Sequence, residues 1–254
     1  MGSGSRFTQD RGFAVRIAAI ALIATAIAAL AYRPRRDPLP EFPRVMIWAW
    51  ERPEKLDFID PREAGVAFLA RTVTVRGDMV AVRPRLQPLV VAPGTAMMAV
   101  VRVESQDPKP DARMAVEHAI LDATELHGVR ALQIDYDAKA SERNFYRGVI
   151  QDLRRVLPGS MPLSITALAS WCEYDDWISG LSVTEAVPML FRMGAEPYRG
   201  ADGLRVAKCQ SSVGISTDEP LAEPPRGRRV YIFHPRSWSR EELRAAIQEV
   251  RRWQ

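Results

Sequence analysis

The chain has 254 residues, 47% of them hydrophobic and 26% charged. That is ample apolar material for a core and excludes a disordered or fibrous protein. The formal net charge of +4 is unevenly spread: residues 1–36 carry six arginines and one acid, Asp10, and the rest carries 29 basic and 30 acidic side chains. The body therefore stands at −1 and has no electrostatic footprint for nucleic acid, so no nucleic-acid partner is expected.

At the N-terminus, Arg6, Arg11 and Arg16 precede an uncharged run rich in Ala, Ile and Leu, residues 17–32. A basic lead followed by a short apolar run reads as a secretory signal or a signal anchor. Ala29-Leu30-Ala31 offers small residues for cleavage, whereas Arg33, Arg35 and Arg36 favour retention. The run is slightly short of the ~20 residues a membrane helix needs, and Phe13 and Tyr32 can sit at the interface. The body is expected outside the cytoplasm, periplasmic or tethered to the inner membrane through residues 17–32. No cysteine directly follows the run, so a lipoprotein anchor is not indicated. Pro34, Pro38, Pro40 and Pro43 make residues 33–43 a stiff linker, and the folded domain is placed at 44–254.

In that domain Val45–Trp50 reads as a short apolar strand, Gly65–Val75 as a second, and Met79–Arg85 as a hairpin arm after the Gly77-Asp78 turn. Ala96–Val103 is another strand. Asp111–His127 reads as a helix ended by Gly128, and Ala131–Asp137 as a strand. Ser141 is expected to cap a helix with Phe145, Val149, Leu153 and Leu157 on one face. Pro162–Ala169 is a strand, residues 172–181 a short helix, and Ala186–Phe191, Val213–Ser216 and Val230–Phe233 are strands. The final helix opens on a capping box, Ser239 to Glu242, with Leu243, Ile247 and Val250 as its apolar residues. Strands alternating with helices imply parallel pairing through right-handed crossovers. The expected fold is a (β/α) TIM-like barrel, irregular on the side of residues 65–95, with an open doubly wound sheet as the competing architecture. Neither GxGxxG after a strand nor GxxxxGK[ST] occurs, so a nucleotide-binding version has no support.

In a barrel, functional residues gather at the C-terminal ends of strands. In Leu132-Gln133-Ile134-Asp135-Tyr136-Asp137, alternation puts Gln133, Asp135 and Asp137 on one face. Two carboxylates there are costly unless they line a wet cleft, bind a cation or share a proton; the competing role is a structural pair at the barrel mouth. Arg102 and Glu104 share a face at the end of the preceding strand, where Arg102 can pair with Asp135 and Glu104 can crowd it. Trp48, Trp50 and Glu51 end the first strand, Trp171 and Glu173 follow the strand at 163–169, and His234 and Trp238 follow the last. Indoles at strand ends are stacking surfaces for sugar rings, or lids on the core. The catalytic candidates are Asp135, Asp137, Glu104 and Glu51; the substrate-binding candidates are Trp48, Trp50, Arg102, Gln133, Trp171, Arg192 and His234. His118 and His127 lie on a helix, and HExxH, GxSxG and paired-His spacings are absent, so no metal or cofactor is expected. Arg226, Arg228 and Arg229 read as a solvated basic turn, with an anionic polymer or lipid headgroups as the other partner they suit. Cys172 and Cys209 can form one disulfide or remain two buried thiols.

Three motifs carry a family resemblance. Asp135-Tyr136-Asp137, the run Ser164-Ile165-Thr166-Ala167-Leu168-Ala169-Ser170-Trp171-Cys172, and Val187-Pro188-Met189-Leu190-Phe191-Arg192-Met193-Gly194 together resemble a bacterial family known as domain of unknown function 3142, over roughly residues 43–240. The resemblance implies an exported or membrane-anchored barrel and transfers no catalytic residue. A more distant likeness is to glycoside hydrolases of the chitinase superfamily, whose fourth strand carries D-x-x-D-x-D-x-E ending in the catalytic acid. Asp135 and Asp137 match the last two aspartates; the first position falls on Leu132 and the acid position on Lys139. The likeness implies a glycan or polysaccharide cleft whose proton donor comes from another strand, such as Glu51, Glu104 or Glu173. The expectation is a barrel that hydrolyses an envelope or extracellular glycan; the alternative is a non-catalytic barrel that binds a glycan or a protein.

Overall fold

The computed structural model describes residues 37–193, 203–219 and 226–254; the N-terminal run read as signal or anchor lies outside the described residues. In chain order the elements are β1 (Val45–Ala49), β2 (Glu54–Leu56), β3 (Ala64–Arg76), β4 (Met79–Pro84), β5 (Leu89–Val91), β6 (Met97–Gln106), α1 (Arg113–Leu121), β7 (Val129–Asp135), α2 (Arg143–Val156), β8 (Leu163–Leu168), α3 (Ala169–Glu173), β9 (Glu185–Met189), β10 (Ser212–Ser216), β11 (Arg229–Phe233) and α4 (Arg240–Arg251). Strands β1, β3, β6, β7, β8, β9, β10 and β11 follow one another in parallel, and β11 pairs back onto β1, so the sheet closes into an eight-stranded barrel. The open doubly wound sheet is thereby ruled out.

The barrel is irregular where residues 65–95 suggested. The connections β1 to β3 and β3 to β6 run through β2, β4 and β5 rather than through helices. The 13-residue β3 outruns the barrel, and β4 adds antiparallel to its far half, from Arg71↔Pro84 to Arg76↔Met79. With the end of β6, this hairpin forms a wall above the C-terminal mouth.

Period-two alternation sorts the strand residues into two apolar cores. Outward-facing Val66, Val101, Leu132, Ile134, Ile165 and Ile232 join helix residues such as Val116, Tyr146, Leu153 and Leu243. Inward-facing Met46, Trp48, Ala67, Met98, Val100, Val187, Tyr231 and Phe233 fill the lumen. It is filled tightly: a Cβ on Gly65 or Gly214 would lie 2.8 Å from the sulfur of Met46 or Met189.

Leu39 and Phe42, in the segment read as linker, are buried in the same lumen core. They stop the N-terminal mouth. Arg229, at the start of β11, holds them there: its guanidinium donates to the carbonyls of Leu39 (2.7 Å), Phe42 (3.1 Å) and Pro43 (3.0 Å). Arg229 and Arg228 are therefore buried, not part of a solvated turn; only Arg226 of that trio is exposed. Above Arg229 sits Glu185, whose Oε1 accepts from Tyr231 (2.5 Å) and Ser164 (3.1 Å) and whose Oε2 lies 4.0 Å from the guanidinium. Burial pushes the Glu185 carboxyl up, against the pull of Arg229 and its hydroxyl donors.

Local differences from the sequence reading have local causes. The helix expected over 111–127 stops at Leu121 and tightens into a 3-10 turn, where the Thr124 hydroxyl donates to the Leu121 carbonyl (2.7 Å); Gly128, at φ 79°, then reverses the chain. Ser141 does not cap α2: the Glu142 carboxylate accepts from the Lys139 amide instead (2.9 Å). The helix expected at 172–181 is the single turn α3, three residues earlier. The capping box at Ser239 and Glu242 is present, and Cys172 and Cys209 form a disulfide.

Candidate functional site

Strands β6 and β7 run side by side with Arg102 opposite Asp135. Both follow inward-facing residues, Val100 on β6 and Gln133 on β7, so both side chains turn into the C-terminal mouth. There they line a cleft of about 280 Å³ with Glu104, Ser105, Tyr136, Asp137, Lys139 and Glu142. Arg102 joins the two strands: its Nε donates to Glu104 Oε1 at 3.0 Å, and its Nη1 stands 3.8 Å from Asp135 Oδ2. The other Asp135 oxygen accepts from the Thr166 hydroxyl on β8, at 2.9 Å.

These neighbours compete over one proton. Burial raises the Asp135 carboxyl most; the Thr166 hydrogen bond and the Arg102 charge pull it down, and the Asp137 and Glu104 charges push it up. The net direction is upward from the ordinary value of 3.8. Beside it, Tyr136 OH pairs with Ser105 Oγ at 2.8 Å, and burial pushes that phenol up to about 12. The cleft thus sets a largely buried carboxyl with a raised pKa beside a half-exposed carboxyl group and a guanidinium that both face, an arrangement of the kind acid–base chemistry uses.

Of the residues nominated from the sequence, Asp135, Asp137, Glu104 and Arg102 come together here. The others do not. Gln133 lies below, fully buried in the lumen, donating to Ser164 Oγ at 2.9 Å. Glu51 turns to the wall and is ion-paired with Arg83 of β4. Trp48 is fully buried, stacked on Phe233 at 4.3 Å; Trp50 is half-buried beside both rings. Trp171 is buried outside the barrel, edge-on to Trp177 at 4.9 Å. Trp48 and Trp171 therefore present no stacking face. Arg192 is exposed, held at φ 54° with its amide donating to Glu219 Oε2 at 2.7 Å.

His234 lines a separate cavity of about 450 Å³ between the ends of β10 and β11 and helix α4. Its Nδ1 pairs with Thr217 Oγ1 at 2.7 Å, its ring stacks on Trp238 at 4.4 Å, and burial lowers its pKa. Among the described residues, no group of three or more His, Cys, Asp or Glu is placed to hold a metal ion, and no helix is long and apolar enough to cross a membrane.

Sequence reasoning missed Thr166, Tyr136 and Glu142 as parts of this cleft. Thr166 was legible as an inward polar residue, two places beyond Ser164 on the same strand face. Glu142 was not, because its inward turn depends on the chain doubling back at Lys139.

A family model described as Domain of unknown function (DUF3142) matches residues 93–201. That stretch runs from the approach to β6 past β9 and holds every residue of the cleft; it matches the family that the three motifs indicated. Comparison with curated proteins and with solved structures gives no match, and the chitinase-superfamily likeness is not shown by any of the three comparisons.

Proposed function

We propose that this protein is an exported or membrane-anchored barrel that hydrolyses a glycan of the cell envelope or its surroundings in the cleft between β6 and β7. The observation that carries the reading is the pairing of Glu104 and Asp135 on one guanidinium. Two carboxyl groups sharing Arg102 lie within the ~10 Å over which a glycosidic bond is flanked by its acid and its base or nucleophile. Their surroundings differ in the required sense, largely buried and raised for Asp135, half-exposed for Glu104.

In this reading Asp135 gives its proton to the leaving oxygen, and Glu104 attacks the sugar or activates water. Asp137 helps keep the proton on Asp135, and Thr166 fixes the carboxyl plane. Lys139, where the chitinase pattern has its acid, lines the cleft beside Glu142 (4.0 Å) and serves as a substrate contact. Export is supported by the basic, then apolar N-terminal run and by the Cys172–Cys209 disulfide, which persists in oxidising compartments.

The test is release of reducing ends from a panel of envelope polysaccharides by the full chain, beside Asp135→Asn and Glu104→Gln. Loss of about 10²-fold or more in both variants is expected. Undiminished turnover in either variant removes that residue's role. A non-catalytic glycan- or protein-binding barrel is the second reading, favoured by the burial of Trp48 and Trp171 and by Lys139 at the acid position. It predicts saccharide binding without turnover, retained by Asp135→Asn.

A further inference from the structure

The body carries almost no net charge, yet its charge is polarised along the barrel axis. The loops that enter the strands, with the last turns of the helices, make up the N-terminal face. Arg44, Arg130, Arg154, Lys208, Arg226 and Arg252 all belong to it. The contacts place them there. Arg44 donates to the Gly227 carbonyl, Arg130 stands 5.5 Å over the Phe42 ring, Arg154 reaches Pro158 and Met161 ahead of β8, and Lys208 reaches Val183 ahead of β9. Gln254 donates to the Arg44 and Arg228 carbonyls, which brings the end of the chain, and Arg252 with it, to the same face. Against these stand Asp37, Glu41, Glu125 and Glu249. The face's other acids are already neutralised: Asp60 by Arg62, Glu63 by Arg251, and Asp152 by Arg155 and Arg113. The opposite mouth carries Glu104, Asp135, Asp137 and Glu142 in the cleft against Arg102 and Lys139, with Asp218 and Glu219 beside it.

Two features of the basic face single out a lipid surface. Leu126 and Val156 are exposed apolar side chains among its cations, 37% and 53% accessible. Residues 38–43 cross this mouth, and the sequence ahead of them contains the apolar run 17–32 flanked by arginines. We propose that the N-terminal face of the barrel seats on an anionic bilayer, so that the β6–β7 cleft opens away from the membrane. The proposal rests on the tether reading but asks more of the barrel than a tether does. Each arginine near an anionic surface strengthens seating by about five-fold, and the effect fades within a Debye length, ~8 Å at physiological salt.

The test uses the full chain on phosphatidylcholine vesicles and on vesicles that also contain phosphatidylglycerol, with flotation and amide hydrogen exchange as readouts. Flotation on the neutral vesicles reports the tether alone. Exchange at residues 126–130 and 226–230 should slow only on the anionic vesicles, recover in high salt, and stay fast in Arg226→Glu/Arg252→Glu, whose side chains make no ion pair among the described residues. Equal exchange on both lipids, or slowing that survives the double substitution, overturns the seating even if the chain floats. If it does not float on neutral vesicles the tether reading fails, and salt-sensitive binding to anionic vesicles that the double variant loses still supports the face.

Discussion

Replacing Arg229 by Met tests the lumen on which the cleft is built. Arg229 is fully buried and does two things: it donates to three carbonyls of the 38–43 stopper, and it faces the equally buried Glu185. Removing one partner of a buried pair leaves the other charge uncompensated, at a cost of about 3–5 kcal/mol. For a domain of this size that lowers Tm by about 10 °C. The loss should depend on pH with a definite sign. Glu185 already has a raised pKa, and without Arg229 it rises further. A raised carboxyl contributes stability that is fully present below its ordinary value of 4.5 and is lost as pH climbs through the folded value. The gap between wild type and Arg229→Met should therefore be widest at neutral pH and narrow in acid to the contribution of the lost carbonyl bonds. Urea unfolding at neutral pH and in mild acid measures both parts, and adding Glu185→Gln should recover most of the neutral-pH loss. A loss below about 1 kcal/mol, or one that Glu185→Gln does not relieve, would refute the lumen assignment.

Other outcomes follow from the same contacts. Thr166→Val removes a hydrogen bond that lowers the Asp135 carboxyl, so the basic limb of the activity profile should move to higher pH; an unmoved limb argues against Asp135 as the acid. Cys172→Ala/Cys209→Ala opens a link between residues 37 apart in sequence and should cost about 4 kcal/mol in urea unfolding, against little change if the bond does not form. Trp48→Ala empties a fully buried site under Phe233 and should cost about 3–5 kcal/mol while leaving the cleft carboxylates in place, read as lowered Tm with the pH profile of hydrolysis unchanged.

The barrel was legible because its strands are short apolar runs separated by turn and cap signals, and because alternation fixes which side chains turn inward. The same rule paired Arg102 with Asp135, since both end neighbouring strands on the inward face. What alternation could not supply was depth. Trp48 and Gln133 point inward, but they lie below the mouth, packed by Phe233 and Ser164 from other strands. Glu51 was lost to the site through Arg83, on a hairpin whose height above the barrel comes from the extra length of β3. Glu185 is the instructive omission. An inward carboxylate at the start of a strand requires a buried cation, and Arg229 at the start of β11 was available, but its neighbours Arg226 and Arg228 made it look like part of a solvated turn.

The titration of Asp135 itself tests the central claim most directly. With the carboxyl carbon labelled, its pKa can be read by NMR and set beside the pH profile of glycan hydrolysis. The arrangement predicts a value above the ordinary 3.8 that coincides with the basic limb of activity. A carboxyl that titrates at or below 3.8, or a limb that ignores it, would contradict the assignment of the β6–β7 cleft as a site of acid catalysis.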